Sequence, residues 1–438
     1  MLNMISFIRN TCSGMNRKNQ LLFLLDAVLI NGAYIITTGT LLSGYAIYLG
    51  TSDFLTSLLN NSANYTTTLS IISFIIFERM SKRKNTLLTL NVISRLLICM
   101  VALLPLVFHT KPVIFALLAF MVITSDVIWG IYRVGWIVWM MDAVPRENRT
   151  QYVYLRTFLV RVFCSVVSIA AGFILDMYNK EYIGFLIIFL LSFILSVLDV
   201  VVLWKVDDPG YKVPDSKKLD YRMFLQPVRH GEYRNYLLFI FAFYLFLTMA
   251  SSFTPVYQIR YLKFDYKFIS TISVISQIVM IVSGLFWSRV ESKKGFKFAM
   301  AVTAFFVAGE LLVLSFLRSD TFFLLYLSTI LAGVGMGGFG TSIFTYRYAI
   351  MPEDGKTVYE GWFYFVSGLG MLIAPFAGEL LRNNLPEFTN TIFQYSKIQL
   401  LYLISFSLIC LLLFMTIARN SGLWSRFFPR RNKAAMKL

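Results

Sequence analysis

The sequence predicts an all-α membrane protein of twelve transmembrane helices, arranged as two six-helix bundles related by a parallel internal repeat. Three observations carry that prediction. The first is composition: 57% of the 438 residues are hydrophobic and only 14% are charged, where a soluble chain carries about 25% charge. The apolar residues fall in recurrent runs, each close to the ~20 residues that cross a bilayer. The second is an alternation of basic loops. With both termini and every second loop taken as one side, that side holds about 27 of the 40 Lys and Arg and the other side about seven, the rest lying in helices. The bias places both termini and the central loop in the cytoplasm. The third is self-similarity. SFIIFERMSKRKN (73–85) recurs as SGLFWSRVESKKG (283–295), an offset of 210, and VPRENRTQYVY (144–154) recurs as MPEDGKTVYEG (351–361), an offset of 207. Each half has an even number of helices, so both insert the same way up, about an axis along the membrane normal.

In chain order, a cytoplasmic segment covers 1–19 and the first bundle 20–204, with helices over 20–49, 54–77, 86–108, 112–140, 150–176 and 183–204. The polar stretch KVDDPGYKVPDSKKLDYRMFLQPVRHGEYR breaks the pattern, so 205–235 is a cytoplasmic central loop. The second bundle covers 236–418, with helices over 236–262, 268–288, 297–317, 322–350, 357–381 and 398–418. A basic cytoplasmic tail, 419–438, ends the chain.

Net charge is +17, but the basic residues cluster in short loops. They report topology and attraction to anionic headgroups rather than nucleic acid. Cys12, Cys99, Cys164 and Cys410 are isolated and form neither zinc spacing nor a disulfide framework. Both histidines, His109 and His230, lie in loops, so no Ser–His constellation, metal site or cofactor site is expected, and no enzyme. The N-terminal stretch lacks a small-residue cleavage site, so no signal peptide is read there.

Charges inside apolar helices are the best guide to function. Each costs roughly 2.5–3.5 kcal/mol at a helix centre and is retained facing a water-filled pathway. Helices 4 and 5 hold Asp126, Arg133, Arg156 and Arg161. At 1.5 Å per residue, Asp126 and Arg161 lie about 21 and 22 Å from the outer ends of their helices, level with each other, and Arg133 and Arg156 lie about 10 Å nearer the cytoplasm. An Asp126–Arg161 pair across helices 4 and 5 is therefore expected, with Arg156 snorkelling to the surface. Asp26, about one and a half turns inside the cytoplasmic end of helix 1, either carries a proton or reaches the interface, and the interface is the preferred expectation. Helix 1 presents Asn31, Tyr34, Thr38 and Tyr45 at helical spacing, helix 2 presents Asn60, Asn64 and Thr67, and helix 8 contributes Gln277. Such amides and hydroxyls suit a wet cavity that hydrogen-bonds a polar solute, or polar contacts between helices. Gly333 and Gly337 of helix 10 form a small-residue face for close packing. Arg95 and Glu310, in helices 3 and 9, are expected to be members of structural pairs, with Glu310 a second-rank candidate for a proton site.

Twelve helices in two halves, with a basic loop between helices 2 and 3 and its partner between 8 and 9, resemble the major facilitator superfamily over about residues 20–418. That family's loop pattern is G-x-x-x-D-R/K-x-G-R/K-R/K. Here Phe74, Glu78, Arg79, Ser81, Lys82 and Arg83 occupy it, with both glycines lost and the Asp replaced by Glu. The D-x-x-P-x-x-x-R of Asp142, Pro145 and Arg149 is also similar to loops of the family. The resemblance implies a secondary active transporter working by alternating access. It assigns Glu78, Arg79, Asp142, Arg149, Arg289 and Lys356 to a charge latch between bundles. The expected cargo is a small polar solute, neutral or anionic, such as a sugar, glycoside or organic acid, with protons through Asp126 as the candidate coupling ion. The alternative is efflux of lipophilic or drug-like compounds, which the many aromatics allow. A multi-pass monomer in the plasma or inner membrane is expected, with membrane lipids as its remaining partners.

Overall fold

The computed structural model describes residues 12, 17–69, 77, 80, 82–145, 149–207, 225–352 and 356–420. The first bundle comprises α1 (Arg17–Leu49), α2 (Asp53–Asn60, Ser62–Tyr65 and the 3-10 turn Thr66–Leu69), α3 (Lys84–Val107), α4 (Lys111–Asp142), α5 (Arg149–Met177) and α6 (Tyr182–Trp204). The second comprises α7 (Gly231–Tyr261), α8 (Tyr266–Lys294), α9 (Phe296–Ser315), α10 (Leu324–Ile350), α11 (Lys356–Asn384) and α12 (Ser396–Asn420). Among the described residues, eleven of these are long and apolar enough to cross a membrane; most of 70–79, the remainder of the helix expected after α2, lies outside the described residues.

The packing repeats as the sequence does. In the first bundle α1 packs on α5 and α6, α3 on α4 and α6, and α2 on α4. In the second, α7 packs on α11 and α12, α9 on α10 and α12, and α8 on α10. Each pairing has its counterpart six helices later. The bundles meet along two equivalent seams, α5 with α8 and α2 with α11. Side chains on the outer surface, including Leu238, Val282, Leu285, Leu380 and Phe414, are more than half exposed. In water each would forfeit about 1.5–3 kcal/mol of burial; lipid removes that cost.

Three helices break near the seams. α1 is interrupted at Ile36–Thr38 and restarts at Gly39, whose φ is 58°. The carbonyls freed by the break are satisfied locally: Thr37 Oγ1 donates to Ala33 O (3.0 Å), Thr38 Oγ1 to Tyr34 O (2.9 Å) and Ser192 Oγ to Ala33 O (2.9 Å). α2 breaks at Asn61. α7 breaks after Ser251, and Pro255, which carries no N–H, opens a short helix that runs into a π-turn over Tyr257–Tyr261. Irregular backbone at membrane depth is tolerated where it is buried in protein or lines a cavity.

The break in α1 changes a register that unbroken periodicity misplaces. Tyr45 does not share the face of Asn31, Tyr34 and Thr38. It is wholly buried between Phe185 and Phe189, its hydroxyl donating to Val101 O (3.1 Å).

Candidate functional site: the space between the bundles

The face that carries the start of α1 and the end of α12 is called the termini face here, and the other the opposite face. Among the described residues, every hydrogen bond that joins the two bundles lies toward the opposite face. Asp53 opens α2, and the π-turn of α7 brings both Arg260 and Tyr261 onto it. Arg260 Nη1 binds Asp53 Oδ1, Arg260 Nη2 donates to Thr51 O (2.6 Å), and Tyr261 Oη donates to Asp53 Oδ2 (2.6 Å). Arg382 of α11 adds a third donor to the carboxylate, at Asp53 Oδ2 (2.7 Å), and is itself held by Glu379 through two 3.0 Å bonds. Burial pushes the Asp53 carboxyl up, but the Tyr261 hydrogen bond and the two guanidiniums outweigh it and hold the group below its ordinary value.

The second seam has its own clasp. Asp176, near the end of α5, accepts the backbone N–H groups of Tyr266 (3.0 Å) and Lys267 (2.7 Å), so a residue of one bundle caps the N-terminus of α8 in the other. Lys180 pairs with Asp265 at 2.8 Å. Between the clasps, Asn60 Nδ2 donates to Ser252 O (3.3 Å) and Asn61 Nδ2 to Met371 O (2.9 Å). Glycines allow the close approach: a Cβ on Gly172 would stand 2.8 Å from Tyr266 O.

Toward the termini face no hydrogen bond joins the bundles among the described residues. A cavity of about 440 Å³ opens between α5, α8 and α10, lined by Thr157, Phe158, Arg161, Met280, Met336 and Thr341 among others. Arg161 is half-buried and has no carboxylate or hydrogen-bond partner among the described residues, and its Nη1 is buried and unbonded. Arg133 is exposed and also makes no ion pair there. Tyr34, near Arg133, stacks on Trp129 with ring centroids 5.1 Å apart. The buried Arg95 guanidinium lies over both rings, 4.5 Å from Trp129 and 5.2 Å from Tyr34. Gln277 is half-buried with no hydrogen bond among the described residues.

Several expectations are corrected. Asp126 does not pair with Arg161. It is buried beneath α2, where Ser62 Oγ donates to its Oδ2, because the break at Asn61 turns Ser62 onto α4. Arg156 does not snorkel: its guanidinium lies over Trp136 at 4.7 Å, facing inward. Asp26 is not interfacial but fully buried, accepting from Trp136 Nε1 (2.7 Å). Arg347, which its place at the cytoplasmic end of α10 would make interfacial, is instead buried, 3.0 Å from Glu360 and 3.8 Å over Phe363. Asn64 Nδ2 is committed to Asn61 Oδ1 (2.9 Å), Asn31 Nδ2 to Ala27 O (2.7 Å) and Thr38 to Tyr34 O. Of the latch residues, Glu78 and Arg79 lie outside the described residues. Asp142, Arg149 and Lys356 end or begin α4, α5 and α11, with side chains outside the description. Arg289 is exposed and unpaired among the described residues.

Sequence reasoning passed over Asp53, Arg260, Tyr261, Asp176, Arg382 and Asp199. Arg260 within YQIRYL and Asp199 within FILSVLDVVVLW are charges in apolar runs, the same signal that picked out Asp126.

Comparison with known proteins is informative at two levels. A profile of the Major Facilitator Superfamily matches residues 130–375. No curated protein matches the chain by sequence. Among solved structures, the nucleoside transporter NupG superposes with a TM-score of 0.65 at 16% identity, covering 93% of this chain and 99% of its own. A D-xylose-proton symporter gives 0.66 at 14% identity, over 91% and 96%. A bacterial homologue of the iron transporter ferroportin, in an inward-facing state, gives 0.68 at 16% identity, over 93% and 100%. At these identities the likeness is one of fold.

Proposed function

The chain belongs to the Major Facilitator Superfamily, a multi-pass membrane transporter fold and not an enzyme, and from that premise we propose that it is a secondary active transporter of small organic anions. The observation that carries the choice of cargo is Arg161, whose guanidinium lines the cavity between α5, α8 and α10 with no carboxylate partner among the described residues, and the exposed Arg133 of α4 is proposed to join it. Arginines face aqueous pathways in membranes because burial without a counter-charge is costly. A bound carboxylate or phosphate would supply the missing partner in the planar, two-pronged geometry the guanidinium favours. Met280, Ile281, Met336 and Phe158 make much of the wall apolar, with Thr157 and Thr341 as hydroxyls beside Arg161, which suits an anion with an apolar body. That wall also favours the rival reading, efflux of lipophilic compounds, but Arg161, unpaired among the described residues, opposes a cationic cargo.

The alternating-access reading rests on the clasped opposite face and on the termini face, where no hydrogen bond joins the bundles among the described residues. With the termini in the cytoplasm, as the loop charges suggest, the described state opens inward. Gln277, Tyr34, Asn31 and Thr38 are assigned to the cavity wall. Asn60 and Asn64 are assigned to the seam, where their amides are already engaged. Asp142, Arg149, Arg289 and Lys356, with Glu78 and Arg79, are proposed to latch the termini face when it closes.

The test is ligand-dependent thermal stabilisation of the purified protein with a panel of organic acids, phosphates, sugars and lipophilic cations. Ligand at 100 times its dissociation constant raises stability by about 2.7 kcal/mol. An organic anion should produce that shift, and Arg161→Ala should remove about 1.5–3 kcal/mol of binding, roughly tenfold to a hundredfold in affinity. A shift produced only by lipophilic cations and untouched by Arg161→Ala would overturn the reading in favour of efflux.

A further inference from the structure

Inside the first bundle, away from the cavity, two carboxyl groups meet. Asp26 of α1 and Asp199 of α6 are both fully buried, and their side chains approach within hydrogen-bonding range of each other. Each has one oxygen satisfied: Asp26 Oδ2 accepts from Trp136 Nε1 of α4 (2.7 Å), and Asp199 Oδ2 accepts from Asn91 Nδ2 of α3 (2.7 Å). Each has its other oxygen, Oδ1, buried and without a donor. Two acceptors with no donor, placed together in an apolar interior, are costly unless a hydrogen lies between them.

The charges around the pair say the same. The groups that face it are Tyr132 on α4, Tyr152 and Arg156 on α5, and Arg95 on α3. The charged groups buried at membrane depth in this bundle, among the described residues, are Asp26, Asp126 and Asp199 against Arg95, with Arg156 half-buried beside the pair, so carboxyls outnumber the guanidiniums that face them.

We infer that Asp26 and Asp199 hold one proton between them, and that this pair, rather than Asp126, is where protonation enters the transport cycle, the second half resting on the transport reading above. The step forms one O–H bond with a proton taken from water and returns that proton to water; nothing else is made or broken. The route from the pair to the cavity runs through α5. Arg156 lies over Trp136, which holds Asp26, and Arg161 is five residues further along the same helix. Loss of the proton leaves an uncompensated negative charge that attracts Arg156 inward. Its gain releases that pull.

Infrared spectroscopy of the whole purified protein tests the proton directly, through the carbonyl stretch of a buried protonated carboxyl. The wild type should show this band at neutral pH. Asp26→Asn and Asp199→Asn should each abolish it while keeping the fold, because the amide hydrogen takes the place of the shared proton. Asp126→Asn should retain it. A wild type without the band, or a band that survives in Asp199→Asn, overturns the pair. The pH profile of anion exchange in proteoliposomes tests the second half. It should flatten in both Asn variants of the pair and persist in Asp126→Asn. A profile unchanged in the pair variants would leave a purely structural proton and overturn the coupling role. The infrared result needs no substrate, so it stands or falls apart from the transport reading.

Discussion

The two bundles are built alike and filled differently. Every helix pairing of the first has its counterpart in the second, yet the interiors diverge. The first bundle encloses Asp26, Arg95, Asp126 and Asp199, sets Arg161 on the cavity beside the seam and leaves Arg133 exposed. Among the described residues the second encloses the ion pair Arg347–Glu360 and, on α9, Glu310 with no ion-pair partner, amid stacked aromatics and a glycine-rich contact of α10 with α8 and α9. Helix length, loop charge and apolar periodicity reproduce an architecture without constraining which polar groups it holds. The first bundle leaves Arg161 on the seam without a partner among the described residues, whereas the second pairs Arg347 with Glu360, and the consequences differ.

The sharpest way to break that comparison is to delete an arginine from each side. Arg347→Ala leaves Glu360 without its cation in a largely buried site, and should cost about 3–5 kcal/mol, seen as a large drop in melting temperature in detergent. Arg161→Ala strands no partner among the described residues and should leave the melting temperature nearly unchanged while shrinking the anion-induced shift from about 2.7 to roughly 0.4–1.4 kcal/mol at the same ligand concentration. Equal losses for the two variants would mean that Arg161 is also a structural ion-pair member, and the contrast would be wrong.

The glycines give a smaller effect. Gly335 of α10 packs against α9, where a Cβ would stand 2.7 Å from Val307 N. Gly335→Ala should therefore cost about 1–3 kcal/mol by overpacking. At Gly172 the same insertion falls on the seam between bundles, against Tyr266 O. Gly172→Ala should act on the equilibrium between open and closed states more than on unfolding. Labelling of a cysteine placed at the opposite face should rise in Gly172→Ala and stay unchanged in Gly335→Ala.

Asp53→Asn weakens the clasp by removing the charge that two guanidiniums share. Cysteine labelling at the opposite face should increase several-fold, a change of about 1–2 kcal/mol in the closing equilibrium. The same labelling read against pH should give the smallest effect. The Asp53 carboxyl in the clasp sits below its ordinary value, so its contribution is complete above the usual Asp range near 3.9 and fades only as pH falls through the lower, clasped value. Labelling should stay flat around neutrality and rise only in acid. A rise near neutral pH would assign the closure to another group.

Much of this was legible in the chain. Hydrophobic runs, basic loops and two matched offsets led to twelve helices and a duplicated order, because helices must satisfy their own backbone in lipid and each span is a local property of about twenty residues. The same reasoning flagged Arg161, Arg133 and Asp126 as costly. It erred on partners. Level charges on neighbouring helices suggested an Asp126–Arg161 bond, but depth along an axis says nothing of rotation about it, and the break at Asn61 put Ser62 on Asp126 instead. Periodicity likewise set Tyr45 beside Asn31, because nothing local announced the interruption at Ile36–Thr38 or the positive φ of Gly39.

What the sequence determined by itself was the set of membrane spans, their order and the presence of charges that need explanation. Each follows from transfer energies summed over neighbouring residues. What only the tertiary structure decided was which charges meet: Asp53 with Arg260 and Arg382 across 207 and 329 positions, Asp26 with Asp199 across α1 and α6, and Arg161 with no partner among the described residues. Those encounters depend on helix breaks and rotations set by packing over the whole fold, and pairing energy falls off over a few ångströms that no spacing in the chain records.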